Sequence, residues 1–547
     1  MFELFVREGL GGFGFPPFYV DYAEGRLPNS LNDPRLFGEK EKKEFGRGSS
    51  ASVRRPFWNE VLDYNARLGA SEASLRAIED LRDGRALPIV TGQQAGLFGG
   101  PLYTLYKALT AISLAGAVSG QTANRAQDGV AGGRRTVPVF WNASDDSDFA
   151  EVDSAVFFGK DLLLKKLAVS ASNHVPGNMV GSTSPEALNA PIEILMEDFG
   201  EQKGTPFVLS LVEDSLAPAR DWGEFFSSLI LHLLASSGLV VVDARMGSVA
   251  EHSKDVMSSY LKKAGEVQVR ISERLEEMRK RGYAGPVSPL AGESCVFVRK
   301  GETRTKVLKE ELPGIADLWH KNAVELLPNV LFGPVVRDVL MAPVANVVGP
   351  SEVSYYSVGR ALYEVLELEQ RPVFPRMSLT IVPGDLTFLV KDDPALFKGL
   401  VLSFDSIARS FVESRIPAEV TEELETSGRE MHAILERLRR LAEGSGMSTA
   451  EVVASAAKKM DFELSRIGQG LTASYRKKIV NERPMLRAAG DFLLPGGGLQ
   501  ERSLCCLAPL IYGGESLLLD LAKMAAMSVE EVFAGRINHY IVSTGIP

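Results

Sequence analysis

Cysteine is scarce in this chain: Cys295, Cys505 and Cys506 are the three present among 547 residues. No Cys-x-x-Cys pair occurs, and six scattered histidines show no ligand spacing, so no metal site is expected. A disulfide framework is excluded too, which suits a reducing, cytoplasmic setting. Basic charge is not in excess. Sixty Lys and Arg stand against 70 Asp and Glu, a net charge of −10, and no basic stripe marks a nucleic-acid face. No long apolar run is present either. The best candidate, Leu229 to Val242, is broken by His232, Ser236 and Ser237, so a membrane span is not expected. The first residues, Met1 to Val6, carry Glu3 and no basic segment, so they do not read as a signal peptide. A soluble protein is the expectation.

What is present is an ordinary globular balance, 45% hydrophobic and 24% charged, in a chain too long for one core. Residues 1–84 are rich in Gly, Pro and aromatics and read as irregular until a helical pattern begins near Asn59. Gly9-Leu10-Gly11-Gly12-Phe13-Gly14 matches G-x-G-x-x-G in letters. Phe15-Pro16-Pro17 follows instead of a helix, so the run is a loop. No Walker A loop occurs anywhere.

From residue 85 to 403 short apolar runs alternate with helical patterns. Leu87 to Val90, Val137 to Asn142, Leu239 to Val242, Val344 to Val348 and Pro372 to Phe374 read as buried strands. Helical patterns cover Leu102 to Ala117, Trp222 to Leu234 and Tyr355 to Leu366. This alternation predicts an α/β fold with a Rossmann-like parallel sheet and inserted connective segments. Gln121 to Arg135 reads as a mobile loop, and an insertion at about 283–312 as a β-hairpin across Lys300-Gly301-Glu302.

Residues 404–480 change character. Ile416, Val420, Leu424, Met431, Leu435, Leu438 and Leu441 keep helical spacing up to Gly444-Ser445-Gly446. Val453, Ala456, Met460, Leu464, Ile467 and Leu471 resume it. The pattern predicts an antiparallel helical hairpin, packed on its own domain or protruding as a coiled coil that forms a homodimer. Residues 481–547 are read as returning to the core.

The chemistry-bearing stretches lie where strands hand over to helices. Thr91-Gly92-Gln93-Gln94-Ala95-Gly96 reads as a ligand loop near a helix N-terminus, or else as a tight turn with solvated glutamines. After the second strand come Asp145, Asp146, Asp148 and Glu151, a set able to hold an ammonium or act as a base, or else a solvated acidic turn. Arg376 fits a carboxylate or phosphate, or a surface ion pair; Glu352 fits a sugar hydroxyl, or a helix cap.

The Thr91–Gly96 loop followed by Gly100-Pro101-Leu102-Tyr103-Thr104 resembles the signature of the cysteine ligases of bacillithiol biosynthesis. Later blocks follow in that family's order: Pro138-Val139-Phe140-Trp141 with the acidic run, Leu327 to Phe332, Gly349-Pro350-Ser351-Glu352-Val353, Pro375-Arg376-Met377-Ser378, and Gly498-Leu499-Gln500-Glu501-Arg502. The resemblance implies addition of L-cysteine to glucosaminyl-malate on a Rossmann-like core, with a coiled-coil domain that dimerises. Amide formation needs an activated carboxylate, so ATP is the expected co-substrate, with Mg2+ as its counterion. Under this resemblance Asp145, Asp146 and Asp148 are the catalytic candidates. Thr91, Gly92, Gln93, Gln94, Gly96, Tyr103, Asn142, Ser147, Glu352, Arg376, Ser378, Gln500 and Arg502 are the substrate-binding candidates.

Four positions depart from the family pattern, the first being Asp145, where a glutamate is usual. Ser147 stands where a histidine is usual, Gly333 where an arginine is usual, and Asn346 where an aromatic is usual. Serine cannot exchange a proton near neutrality as imidazole does, so reduced activity is expected. Two alternatives follow: an impaired relative that binds a nucleotide or sugar acid and acts as a dimeric binding protein, or an ATP-using ligase with another amine acceptor.

Overall fold

Five apolar segments pair in parallel at the centre of the molecule: β1 (Ala86–Gln94), β2 (Arg135–Ala143), β3 (Val240–Asp243), β4 (Asn346–Val348) and β5 (Val373–Pro375). The computed structural model describes residues 2–28, 31, 35–44, 54–127, 134–159, 163–285, 292–383, 399, 401–404, 406, 417–444, 450–482 and 485–544. The chain forms two compact units, Met1–Ile381 with Pro495–Ile546, and Val382–Leu494. The sheet belongs to the first.

Strand order is β5-β4-β1-β2-β3. The chain starts at the central strand, builds outward through β2 and β3, then returns to add β4 and β5 on the other side. The reversal leaves a crevice outside the carboxyl ends of β1 and β4, where open α/β sheets bind ligands. Successive side chains of β1 serve opposite faces. Ile89 packs with Val347, Phe374 and the buried side of the helix α1 (Tyr103–Gln127). Val90 packs with Val139, Val240 and Val242 beneath Phe57, Trp58 and Ile78. Three further helices position the crevice: α2 (Trp222–Leu233), α3 (Gly333–Met341) and α4 (Pro350–Val365).

Several expectations need correction. The Gly92-Gln93-Gln94 run is not a loop: β1 continues through Gln94, paired residue for residue with β2 as far as Gln94 opposite Ala143. A neighbouring strand of equal length satisfies these backbone groups, so the strand need not end with its apolar run. The stretch from Gln121 to Gln127, expected as loop, is helical, since α1 continues through the good helix formers Ala123, Arg125 and Ala126. Residues 128–133 lie outside the described residues. The N-terminal region is more ordered than its composition suggests. Phe2–Gly9 is a strand, Pro17–Ala23 and Glu39–Glu44 are helices, and a longer helix starts at Arg55 with Pro56 in its first turn.

The partner of Phe2–Gly9 is Asn538–Thr544, which also lies beside Ser378–Pro383 in a three-stranded sheet. The inserted strands Glu293–Lys300 and Thr303–Leu308 pair antiparallel, with Glu325–Pro328 on the other edge. In the second unit the helices Ala418–Gly444 and Ala450–Glu482 meet, with His432 Nε2 2.9 Å from Asp461 Oδ1. Leu464 and Leu424 lie beside Gly428 and Gly468. Ile416 and the Ser445-Gly446 break lie outside the described residues. Among the described residues no helix is long and apolar enough to cross a membrane.

Gly92 is required by close approach. A Cβ there would stand 2.5 Å from the Trp141 carbonyl oxygen and 2.9 Å from Trp141 Cβ. Gly92→Ala should therefore cost about 1–3 kcal/mol through overpacking. Urea unfolding checks this, and a loss within about 0.5 kcal/mol, the range of a neutral surface change, would refute it.

His539, buried in the central strand of the three-stranded sheet, gives a pH prediction. Burial pushes its imidazole down to about 4, with Glu501 opposing and Arg376 reinforcing the shift. The unfolded chain, with an ordinary imidazole near 6.5, binds more protons between these values. Stability is thus complete above pH 6.5 and is lost as pH falls towards 4, by at most ~3 kcal/mol. The wild type should lose more stability than His539→Gln over this window; parallel pH profiles would contradict it.

Candidate active site

The crevice at the strand reversal opens into a cavity of about 750 Å3. Its centre is a buried ammonium. Lys107, in the second turn of α1, donates to Gly92 O and Gln93 Oε1 at 2.9 Å each and pairs with Glu352 Oε2 at 2.6 Å. Burial lowers the Lys107 pKa, the Glu352 carboxylate opposes this, and Arg376 and Arg337 add to it. Glu352 also accepts from Gly349 N at 2.7 Å, so the helix-cap reading of this residue is met while it pairs with the lysine. Gln93 reaches Tyr103 with its other end, Nε2 to the hydroxyl at 3.3 Å.

One wall of the cavity is acidic. Gln94 Nε2 donates to Asp146 Oδ2 at 2.6 Å and to Glu151 Oε2 at 2.9 Å, and Asp148 lines the same wall. The cation among these carboxylates is Arg304, from the inserted hairpin. It donates to Asp146 Oδ1 at 3.1 Å and to the Asp145 carbonyl at 3.0 Å, its guanidinium 3.9 Å from the Phe297 ring centre. Asp145 is buried. Burial raises its carboxyl pKa, Arg304 opposes, and Asp146 and Asp243 reinforce it.

Elsewhere the lining is largely apolar and carries Glu293, Glu325 and Glu352 together with a group of cations. Arg337 from α3, Arg376 after β5 and Arg502 line it together with Lys107. Arg337 donates to the Tyr356 hydroxyl at 3.2 Å. Arg376 donates to Glu501 Oε1 at 2.6 Å, a buried pair and not the surface pair weighed from sequence. The buried Nε atoms of Arg304, Arg337 and Arg376 have no hydrogen-bond partner among the described residues. Guanidinium edges of this kind match carboxylate or phosphate oxygens. Among the described residues no three His, Cys, Asp or Glu side chains are grouped to hold a metal ion.

Of the residues singled out in the sequence, Gly92, Gln93, Gln94, Tyr103, Asp145, Asp146, Asp148, Glu352, Arg376 and Arg502 line the cavity. Thr91, Gly96, Asn142, Ser147, Ser378 and Gln500 are outside that lining. Thr91 Oγ1 donates to Val347 O, tying β1 to β4, and a Cβ on Gly96 would press on Gly100. Asn142 is buried against Gly223 O and Ser227 Oγ. The Ser147 backbone N–H donates to Asp146 Oδ1 at 2.7 Å. Ser378 Oγ donates to Glu501, and Gln500 bonds both backbone groups of Ile381.

Sequence reading missed Lys107, Arg304 and Arg337. Lys107 stands four residues after Tyr103 on one helix face, a spacing that could have shown it. Arg304 lies 158 residues from Asp146, and no local signal joins them. The family departures also acquire places. Gly333 lines the cavity at the start of α3, with Arg337 one turn further along the same helix. Asn346 is buried outside it, donating to Asp338 Oδ1 at 2.9 Å.

The profile of a known family, described as bacillithiol biosynthesis BshC, N-terminal Rossmann-like domain, matches residues 35–377. Relatives named "Putative cysteine ligase BshC" align over most of their length. The protein of Koribacter versatilis is 27% identical, covering 80% of this chain and 82% of its own. That of Geobacillus kaustophilus is also 27% identical, over 88% and 91% of the two chains. That of Chlorobaculum tepidum is 26% identical, over 93% and 95%. The matched profile spans well over half of the chain and contains all five strands of the parallel sheet, so the chain belongs to the BshC family of bacillithiol biosynthesis.

Proposed function

We propose that the protein is a cysteine ligase that joins the carboxylate of L-cysteine to the amine of glucosaminyl-malate. The observation that carries this reading is the presence in one cavity of an acidic wall and a group of cations. An amino sugar bearing a dicarboxylic acid has the complementary pair of charges. The sugar ammonium suits Asp146, Asp148 and Glu151, and the malate carboxylates suit Lys107, Arg337, Arg376 and Arg502. For the amide to form, the ammonium first loses a proton, which a neighbouring carboxylate accepts. The neutral amine then attacks the acyl carbon activated by ATP, and the C–O bond to the phosphate or AMP leaving group breaks as the C–N bond forms. Asp145, with its carboxyl pKa raised by burial, suits the proton-accepting role better than an ordinary exposed aspartate.

ATP is proposed as the co-substrate that activates the carboxylate, accompanied by Mg2+. The unpartnered guanidinium edges of Arg304 and Arg337 are donors of the kind its phosphates need. Buried free thiols at Cys295, Cys505 and Cys506 agree with a cytoplasmic setting. The reading as a non-catalytic binding protein is not favoured by the relatives' names or by the site's charge arrangement.

The missing imidazole does not remove the base under this reading, because position 147 is outside the cavity lining. Mass spectrometry should detect the amide product when cysteine, glucosaminyl-malate and ATP are supplied. Asp145→Asn should slow turnover by ~10²–10⁴-fold, whereas Ser147→His should change it by only about threefold. A fully active Asp145→Asn enzyme would assign the proton elsewhere.

We also propose a homodimer formed through the helices of the second unit, as a coiled coil. Support comes from apolar side chains left outside their pairing: Leu438 is 54% exposed and Phe462 67%, whereas Leu435 is buried. Leu438→Asp combined with Phe462→Asp should halve the solution mass measured by light scattering. A monomeric wild type at micromolar concentration would end the proposal.

A further inference from the structure

Arg376 lines the cavity with both of its terminal nitrogens held by protein. Nη2 donates to Glu501 Oε1 at 2.6 Å and Nη1 to Met377 O at 2.8 Å, while Nε stays buried without a partner. The Arg376 and Glu501 side chains are 2% and 1% exposed. Such a buried pair is weak evidence of a stabilising role, since well-packed apolar residues often stabilise as well or better. A different reason for it comes from what surrounds the carboxylate.

Glu501 Oε2 accepts from Ser378 Oγ at 2.8 Å and from Leu379 N at 3.2 Å. Ser378 has one hydroxyl proton, and a carboxylate can only accept, so that proton points at Glu501. Ser378 Oγ must then accept from His539 Nδ1, 2.8 Å away, which places the imidazole proton on Nδ1. Nε2 is left to accept from Thr380 Oγ1 at 3.0 Å. The donors therefore run one way, from Thr380 through His539 and Ser378 to Glu501, and the sequence works with a neutral imidazole. The His539 ring lies 4.4 Å from the ring of Phe13 and 5.9 Å from that of Phe15. Both aromatics come from the Gly-rich N-terminal loop, and His539 comes from the C-terminal strand. Each lies beyond the 35–377 span of the family profile.

We infer that Glu501 and His539 are positioning residues that fix the Arg376 guanidinium with its Nε edge presented to the cavity for an anionic substrate group. The two ends of the chain are thereby parts of the site. The identity of that anion as the malate end of glucosaminyl-malate rests on the ligase reading. The network's direction does not. Glu501 supplies the charge that keeps Arg376 in one rotamer. His539 keeps the Ser378 hydroxyl aimed at Glu501, because a competing donor to Oγ leaves the serine proton no other use.

The test is steady-state kinetics of full-length Glu501→Gln, His539→Leu and His539→Gln. Each is first shown to be folded by thermal unfolding. Loss of one charge-aligned contact should raise KM for glucosaminyl-malate about tenfold in Glu501→Gln and several-fold in His539→Leu. KM for cysteine and for ATP should stay within about twofold, which a loosened structure would not achieve. His539→Gln, whose amide can donate to Ser378 and accept from Thr380, should restore the wild-type value. Unchanged KM for glucosaminyl-malate in the folded variants overturns the inference, as does an equal rise for all three substrates. If Glu501→Gln does not fold, the His539 pair decides. If the wild type makes no amide, the ligase reading alone falls. Crystal structures of the variants then decide the positioning role: Arg376 turned away supports it, and Arg376 still on Glu501 and Met377 in His539→Leu overturns it.

Discussion

The architecture of the cavity depends on one buried cation. Lys107 sits where the strand order reverses, and its ammonium is shared by a backbone carbonyl and a side-chain amide of β1 and by the first-turn carboxylate of α4. Desolvating an ammonium is expensive unless every donor is used, so these three partners are held at fixed separation. The pair thus fastens the end of β1 to the start of α4, the two edges between which a ligand must enter. It also explains why Glu352 cannot be assigned a single role. The same oxygen caps Gly349 and neutralises Lys107.

A second dependence runs through the insertion. Without Arg304 the carboxylates of Asp146 and Glu151, already joined through Gln94, would face each other uncompensated. The hairpin therefore has an electrostatic task at the site, and its stacking on Phe297 holds the guanidinium in place. Elements that looked accessory in sequence, namely the hairpin, the N-terminal loop and the C-terminal strand, each supply or steady a charge at the sheet's carboxyl edge.

The parallel core was legible because its signals are local. Five apolar runs bounded by Gly and Pro, with helical periods between them, give the alternation whatever the tertiary partners are. Gln93, Gln94 and the Asp145–Asp148 run were legible as chemistry because strand ends concentrate such residues. The errors share a cause. β1 extends to Gln94 because β2 runs beside it, and Phe2–Gly9 is a strand because Asn538–Thr544 pairs with it; both facts are set by partners distant in sequence. Asn142, Ser378 and Gln500 lie outside the cavity lining, and their side chains satisfy buried backbone and neighbouring polar groups, a demand invisible without the fold.

The departures from the family pattern can be judged by where they fall. Gly333 and Arg337 stand one helical turn apart at the start of α3, and both line the cavity. A guanidinium lost at the first position therefore leaves another on the same helix, half-buried and bonded to the Tyr356 hydroxyl. Asn346 replaces an aromatic outside the lining, and there it donates to Asp338, whose carboxylate also accepts from Tyr363. That change alters what supports α3 from beneath and leaves the cavity's own charges in place. Ser147 differs in kind, since an imidazole there would add a group whose ordinary pKa lies near neutrality. Asp145 lines the cavity and burial raises its carboxyl pKa, so the proposed proton acceptor does not depend on the residue at 147, which is outside that lining.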